Sequence, residues 1–198
     1  MCAVPAAALA AKPSPGTVSI AIAPTTVTFG KPATVSGTTA ANTPVTLRAD
    51  EFPYDGSFTQ VAKSTSNASG AYAFSVTPDK GTHYRVDGKG NARSAVAALA
   101  VRWRVTRQVS TRQPARGTRV RFSGTVSPAH TGGTAEVQKL RAGVFKTVKT
   151  AVLVAATPTS SSYSVRVRVR RNGTYRVRVA GDGARITGRS RRVSLVVH

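Results

Sequence analysis

The sequence contains one cysteine, Cys2, in 198 residues. Within one chain this excludes a disulfide framework, a zinc cluster built from several thiolates and a paired-thiol redox site. Histidine is almost as rare: none of His83, His130 and His198 has a second histidine or a carboxylate at the spacing of metal ligands. The residues therefore predict no zinc or non-haem iron site.

Sequence motifs of catalysis are also missing. There is no Gly-x-Ser-x-Gly elbow, no Walker-type glycine loop and no dinucleotide-binding glycine pattern. Serine is abundant, but it lies in turns and on the outward sides of predicted strands, as in ordinary sandwich loops. We therefore predict a non-enzymatic chain with no cofactor and no small-molecule substrate.

Acidic residues number only seven. Asp50, Glu51 and Asp55 cluster before Gly56, and hard oxygen ligands in such a loop could hold calcium. The spacing matches no EF-hand loop, however, and aspartate and glycine are common turn residues. The turn is the favoured interpretation, so no metal site is predicted.

Residues 1–16 differ in composition from the rest of the chain. The first eleven, MCAVPAAALAA, are small and apolar, and Ala8 and Ala10 occupy the positions that signal peptidase prefers. Because a basic segment before them is missing, the stretch is either a partial signal peptide or a disordered N-terminal tail. No other segment approaches the length of a membrane span. The signal interpretation predicts an extracellular or cell-surface protein with no transmembrane segment.

The remaining sequence contains an internal repeat. Four segments recur in the same order: residues 35–38 as 122–125, 56–58 as 143–145, 72–76 as 163–167, and 81–86 as 173–177. The collinear matches indicate duplication of a unit of about 90 residues, the usual size of an immunoglobulin-like sandwich. Valine and threonine are abundant, with 17 glycines and 11 prolines, which is typical of strands joined by tight turns.

Each copy shows about seven short alternating segments. We predict an all-β protein of two tandem immunoglobulin-like antiparallel β-sandwiches, over residues 17–101 and 102–198. The predicted inward-facing residues of the first copy are Val18, Ile20, Ile22, Val35, Val45, Leu47, Phe58, Tyr72, Phe74, Val76, Tyr84, Val86, Leu99 and Val101. Those of the second copy are Trp103, Val105, Val120, Phe122, Ala135, Val137, Phe145, Tyr163, Val165, Val167, Val169, Tyr175, Val177, Val179, Val193, Leu195 and Val197.

Tyr84 and Tyr175 each follow a glycine-containing turn and open a strand near the end of their copy. This is the position of a tyrosine corner, whose hydroxyl bonds to upstream backbone. We therefore predict that both are structural, with a half-buried core tyrosine as the alternative.

The segment 165–179 of the second copy has an Asn-Gly pair near its middle and could form a tight hairpin. The first copy has a longer connection, residues 78–81, at the same place. A crossover between the two sheets is therefore the preferred prediction.

The strand motifs Val/Phe-Ser-Gly-Thr, Gly-x-Phe-x-x-Val, Ser/Gly-x-Tyr-x-Phe/Val and Gly-Thr-(x)-Tyr-Arg-Val occur in both copies. In these motifs, from Thr17 to Val197, the chain resembles the bacterial immunoglobulin-like or fibronectin type III-like repeats of secreted actinobacterial surface proteins. The resemblance implies spacer, adhesion or carbohydrate-contacting modules on extracellular proteins, and it brings no catalytic residues.

Charge is distributed unevenly between the copies. Up to Val101 there are eight basic and five acidic residues, a net charge of +3. Beyond Val101 there are 21 basic residues, 18 of them arginine, and two acidic ones, a net charge of +19. Many of the arginines alternate with apolar residues, which places them on the outward faces of the sheets. Codon bias would act on both copies alike, so the asymmetry favours selection for a basic surface.

A face of this charge density attracts polyanions. The predicted partners are anionic polysaccharide, teichoic acid or another polyanion, because arginine binds phosphate and carboxylate bidentately. Few aromatic residues accompany the arginines and no groove-reading helix is predicted, so nucleic acid is expected to bind at most non-specifically. The predicted polyanion-binding residues are Arg119, Arg121, Arg166, Arg168, Arg170, Arg176 and Arg178.

The function that the sequence favours is a non-enzymatic extracellular spacer or adhesin whose second copy contacts anionic cell-wall or matrix polymers. Two alternatives remain. One is a purely structural repeat with incidental charge, and the other is an intracellular nucleic-acid-binding protein.

Overall fold

A computed structural model of the chain describes residues 17–198. The signal peptide or tail predicted at residues 1–16 lies outside the described residues. The described part is all-β, as predicted, with four sheets and one 3-10 turn at Lys89–Asn91. Within it, no helix is long and apolar enough to cross a membrane.

Residues 17–101, here called the first module, contribute eight strands, the last of which extends to Arg102. The strands are β1 (Ala21–Ala23), β2 (Thr26–Thr28), β3 (Ala33–Thr38), β4 (Pro44–Glu51), β5 (Thr59–Thr65), β6 (Ala71–Val76), β7 (Thr82–Asp87) and β8 (Ala97–Arg102). One sheet has the order β1-β3-β6 and the other the order β2-β8-β7-β4-β5. All pairings are antiparallel except that of β2 with β8.

Residues 102–198, the second module, contribute ten further strands. They are β9 (Arg104–Val105), β10 (Gln108–Val109), β11 (Arg119–Ser127), β12 (Thr134–Arg141), β13 (Val144–Val152), β14 (Val154–Thr157), β15 (Ser160–Arg168), β16 (Gly173–Val179), β17 (Gly188–Arg189) and β18 (Val193–Leu195). One sheet has the order β10-β11-β15-β14 with β9 also on β11, and the other has β13-β12-β16-β17 with β18 also on β16. Because β15 and β16 lie in different sheets, the predicted crossover is confirmed.

Each module buries its own apolar core. Alternation along the strands places one side of each sheet in the core and the other in solvent. Most of the predicted inward-facing residues are buried, among them Leu47 and Val86 in the first module and Phe122 and Val177 in the second, all four fully. The sequence prediction of two sandwich cores therefore agrees with the structure in most of its residues.

Phe58 and Phe145 are exceptions, and the prediction that they face inward is wrong. Both rings are only half-buried, and each is covered by an arginine that projects from the outward side of its strand. The guanidinium carbon of Arg85 lies 4.5 Å from the ring centroid of Phe58, and that of Arg176 lies 3.9 Å from the ring centroid of Phe145. These are cation–π contacts on the outer surface rather than core packing.

A β-bulge explains the error. The register between β12 and β13 shifts between Val137 and Gln138, so that Val148 is an extra residue between their partners. A bulge displaces the alternation of a strand by one residue. Ala151, opposite the buried Ala135, consequently packs against the core, whereas Phe145, six residues earlier and opposite Leu140, faces outward. The pairing of β4 with β5 contains a shift at the equivalent place.

The repeated Ser-Gly-Thr segment has a structural explanation. In the first module Gly37 on β3 lies opposite Tyr72 on β6. The tyrosine hydroxyl donates a hydrogen bond to the backbone carbonyl of Ser19, and a Cβ on Gly37 would overlap that oxygen. The Ser19 hydroxyl in turn accepts the backbone N–H of Thr38 at 2.8 Å. Glycine is required here because two backbones and a phenol meet at one point.

The second module repeats this arrangement. Gly124 on β11 lies opposite Tyr163 on β15, and the Tyr163 hydroxyl donates to the carbonyl of Thr106 at 2.7 Å. The Thr106 hydroxyl accepts the backbone N–H of Thr125 at 2.8 Å. We call each set of glycine, tyrosine and first-segment carbonyl a tyrosine clasp.

The sequence analysis places the hydroxyl-to-backbone bond at Tyr84 and Tyr175, whereas the structure places it at Tyr72 and Tyr163. Tyr84 and Tyr175 are core residues, 3% and 2% exposed. Burial raises the pKa of Tyr84 to about 12. They stand on β7 and β16, in the sheets that do not contain β1 and β10. The tyrosines of β6 and β15 share a sheet with the start of their module, which explains why they form the bond.

The two modules join directly. Only Trp103, which is 1% exposed, lies between β8 and β9. The loop between β16 and β17 returns to the first module, where the N–H of Ile186 donates to the carbonyl of Val101 at 2.8 Å. In the same loop, the carbonyl of Ala184 accepts the N–H of Gly81 at 2.7 Å. The β16–β17 loop of the second module is thus bonded through its backbone to two places in the first module.

Candidate polyanion-binding groove

Strands β11 and β15 of the second module carry arginines directly opposite one another. Arg119 faces Arg168, and Arg121 faces Arg166. All four are exposed, because they alternate with buried apolar residues of the same strands. Like charges at directly opposed positions destabilise a sheet. The free protein therefore carries a repulsion that a bound anion would relieve.

Part of this arginine face borders a groove of about 830 Å³. Residues of β11, β12, β13, β15, β16 and the β15–β16 connection line it. Three of the lining residues are Val148, Val167 and Tyr175, and the last two are almost fully buried. The other eight are cationic: Arg119, Lys139, Arg141, Lys149, Arg166, Arg168, Arg170 and Arg171.

A second depression, of about 470 Å³, adjoins this groove. It shares Arg170 and Arg171 with the groove and adds Arg116, Asn172 and Val197. The two arginines therefore stand where the depressions meet, and together the depressions form one continuous cationic surface.

The β15–β16 connection is fixed from two sides. The side-chain oxygen of Asn172 accepts the backbone N–H of Val197 at 2.7 Å. The ammonium of Lys139 donates to the carbonyl of Arg171 at 3.2 Å. Lys139 can lie there because Gly173 has no side chain, and a Cβ at this glycine would overlap the lysine stem. The connection thereby holds its arginines beside the cations of β12.

No acidic side chain lines the groove. Glu136 and Asp182 are the two acidic residues of the second module, and both are paired with arginines outside the groove. Glu136 contacts Arg178 at 2.7 Å, and Asp182 contacts Arg185 at 3.7 Å. The charge of the groove is therefore not neutralised within the module.

Burial and this uncompensated charge both affect the pKa of Lys139. Burial, followed by repulsion from Arg141 and Arg171, lowers the pKa of Lys139 below its usual value. An anion in the groove would oppose this effect, because an opposite charge favours the protonated amine.

The structure brings some of the seven predicted arginines together and separates others. Arg121 lies on the same face as the groove, beside the lining residues. Arg176 and Arg178 lie on the other sheet, where Arg176 donates to the Gln138 side chain at 2.9 Å and Arg178 to Glu136 at 2.7 Å. The predicted residues that line the groove itself are Arg119, Arg166, Arg168 and Arg170.

Sequence reasoning missed four groove cations. Arg171 follows Arg170 directly, so the adjacent pair was a usable signal. Lys139, Arg141 and Lys149 belong to β12 and β13, and only the packing of one sheet on the other brings them beside β15. No local sequence pattern predicts that β12 and β13 lie beside β15.

The groove offers hydrogen-bond donors and positive charge. Arginine and lysine side chains donate and cannot accept. Among residues 17–198, no group of three or more histidine, cysteine or acidic residues could hold a metal ion. In the acidic turn of the first module, Asp50 accepts the N–H of Gly56 at 3.1 Å and Glu51 pairs with Lys80 at 3.1 Å. These contacts are those of a structured turn.

No protein-family model and no curated protein matches the chain. The solved structures that are similar in part include the following three. A red sea bream transglutaminase shares 15% identity at a TM-score of 0.47, over 91% of this chain and 31% of that one. A tetra-tandem repeat from the extending region of a large adhesion protein shares 18% identity at a TM-score of 0.37, over 92% of this chain and 50% of that one. A Salmonella alpha-2-macroglobulin mutant shares 10% identity at a TM-score of 0.39, over 92% of this chain and 16% of that one.

The chain therefore spans half or less of the length of each of these structures. At these identities and TM-scores, the similarities carry no argument about function. What the molecule does must be inferred from its own groove.

Proposed function

We propose that this chain is a non-enzymatic extracellular or cell-surface module, a spacer or adhesin, whose second module binds anionic polymers through the cationic groove. The observation that carries the proposal is the set of eight cationic side chains around one concave surface without an acidic neighbour. Clefts lined by one sign of charge concentrate ligands of the opposite sign.

The opposed arginine pairs support the same proposal. A surface that only needed to be soluble could carry its charge at scattered positions or with both signs. Here Arg119 faces Arg168 and Arg121 faces Arg166, an arrangement that opposes folding. Ligand binding explains why such an arrangement is retained, whereas codon bias would not concentrate it in one module.

The first module fits the role of a spacer. Its net charge is small, and it contains three ion pairs: Arg48 and Arg85 contact Asp87 at 2.5 Å and 3.0 Å, and Lys80 contacts Glu51 at 3.1 Å. The direct junction at Trp103 would hold the groove of the second module at a fixed orientation.

The test is a salt titration of binding between the full chain and heparin, a readily available polyanion. Two triple variants remove equal charge: R166Q/R168Q/R170Q changes the groove, and R104Q/R189Q/R191Q changes exposed arginines outside it. Loss of three contacts should flatten the log–log salt slope by about 2, at roughly 0.7 for each contact with a single-stranded polyanion.

The matched variant should change the slope much less, because its arginines do not contact the ligand. Equal effects of the two variants would show that net charge, and not the groove, attracts the polymer. If the unmodified chain binds neither heparin nor any other polyanion at low ionic strength, the arginines form only an incidental solvated face.

A further inference from the structure

The chemistry of the groove restricts the kind of polyanion that it can take, and this inference rests on the proposed function. Eight of the nine polar side chains that line it are arginine or lysine; the ninth is the phenol of Tyr175, which is buried, and no carboxylate or side-chain amide accompanies them. The arginines and lysines only donate hydrogen bonds. A sugar polymer presents many hydroxyl groups, which also need acceptors when they are buried. The side chains of the groove therefore match a ligand that presents acceptor oxygens almost exclusively.

The groove also lacks a surface on which a base or a sugar ring could stack. Its one aromatic lining residue is Tyr175, which is 2% exposed. The ammonium of Lys139 lies 5.4 Å from the centroid of this ring. Single-stranded nucleic acids gain much of their affinity from stacking on exposed aromatic rings. A ligand whose repeating unit carries no base does not depend on stacking, so the lack of an exposed ring does not reduce its affinity for this groove.

The size of the groove excludes a duplex from its interior. A volume of about 830 Å³ falls within the range that encloses a small ligand. Duplex DNA, whose major groove alone is about 12 Å wide, could contact only the rim. A single flexible chain can enter and bring its charges to the cations on both sides.

The arginine row suits a chain with regularly spaced charges. Arg166, Arg168 and Arg170 follow one another at every second position, which separates them by about 6.7 Å along an extended strand. This spacing is comparable to that of neighbouring phosphates in an extended phosphodiester chain. In an inorganic polyphosphate, whose neighbouring phosphates share one oxygen, alternate phosphates come near this spacing. Arginine binds phosphate through two parallel hydrogen bonds.

We infer that the groove binds a linear phosphate polymer whose repeating unit carries no base and few hydroxyl groups. Such a chain can be a poly(glycerol phosphate) or an inorganic polyphosphate. Because Arg170 and Arg171 also border the second depression, a longer chain continues from one depression into the other.

The experiment compares four probes on the full chain at equal ionic strength and equal concentration of charge: inorganic polyphosphate, poly(glycerol phosphate), heparin and duplex DNA. We expect both phosphate chains to bind about tenfold or more tightly than heparin and duplex DNA, a difference of roughly 1.4 kcal/mol. A preference between the two phosphate chains distinguishes the two sources of the same chemistry.

Chain length provides a second readout. Affinity for polyphosphate should rise with length until both depressions are occupied and then level off. Arg116 lines only the second depression, so R116Q should weaken binding of long chains and leave that of short chains unchanged. The matched variant R104Q, outside both depressions, should affect neither.

Heparin or duplex DNA binding as tightly as the phosphate chains would overturn the inference while leaving the proposed function intact. Equal effects of R116Q on short and long chains would contradict the continuous path. If none of the four probes binds at low ionic strength, the proposed function fails together with the inference.

Discussion

A glycine opposite a tyrosine is the residue-level feature that the two modules share most completely. The Ser-Gly-Thr repeat is visible in the sequence, but its partner is not, because Tyr72 lies 35 positions after Gly37 and Tyr163 lies 39 positions after Gly124. Each module also has another tyrosine that opens a strand, and the sequence offers no means of choosing between them. The choice follows from which sheet contains the first segment of the module.

Removing the hydroxyl of either clasp tyrosine should destabilise the protein. Tyr72→Phe and Tyr163→Phe each lose a hydrogen bond to a backbone carbonyl, worth about 1 kcal/mol, while the ring keeps its packing. Urea denaturation followed by circular dichroism measures the loss. Tyr175→Phe is the control, because its hydroxyl does not belong to a clasp. A clasp variant that is as stable as the unmodified chain would contradict this role.

Strand pairing is the scale at which the sequence was most informative. Alternation of apolar and polar residues predicts most of the inward positions, and the longer connection of the first copy correctly favours a crossover over a hairpin. The bulge at Val148 could not be predicted, because it depends on pairing with β12. Regular alternation without the bulge predicts Phe145 as a core residue. In the structure it lies beneath Arg176 on the outer face.

Opposed arginines on β11 and β15 should lower the stability of the free protein. Arg119→Gln removes the repulsion from Arg168. At low salt this should raise the free energy of unfolding by a few tenths of a kcal/mol up to about 1 kcal/mol, so the variant should melt at a higher temperature than the unmodified chain. Arg104→Gln is the matched control, since Arg104 lies opposite Ser127.

High salt should abolish the difference between the two variants, because it screens exposed charges. Thermal melts at low and high ionic strength provide the comparison. A lower melting temperature for Arg119→Gln than for Arg104→Gln at low salt would show that the arginine face stabilises the fold.

The whole molecule contains more contact between its modules than a short linker implies. Besides the backbone bonds of Ile186 and Ala184, the guanidinium of Arg185 donates to the carbonyl of Asp79 at 2.9 Å and lies 4.8 Å from the ring centroid of Trp103. The sequence reveals none of this, because the contacting residues lie about 100 positions apart. The boundary at residue 101 stays a prediction, but the junction places the groove in a defined relation to the first module.

The groove itself shows the same limit of sequence reasoning. The arginines of β11 and β15 are predictable from alternation, and their charge indicates polyanions. The cations of β12 and β13 join them only through the packing of one sheet against the other, so the concave site emerges at the level of the folded module.

The most direct test of the account is to map where a polyanion binds. Nitrogen-15 spectra of the arginine side chains of the full chain, recorded during titration with a short inorganic polyphosphate, report on each guanidinium separately. We predict that the largest changes occur at Arg166, Arg168 and Arg170, and that Arg189 and Arg191 change little. Changes of equal size at all of these arginines, or changes centred on the opposite sheet, would contradict the groove as the binding site.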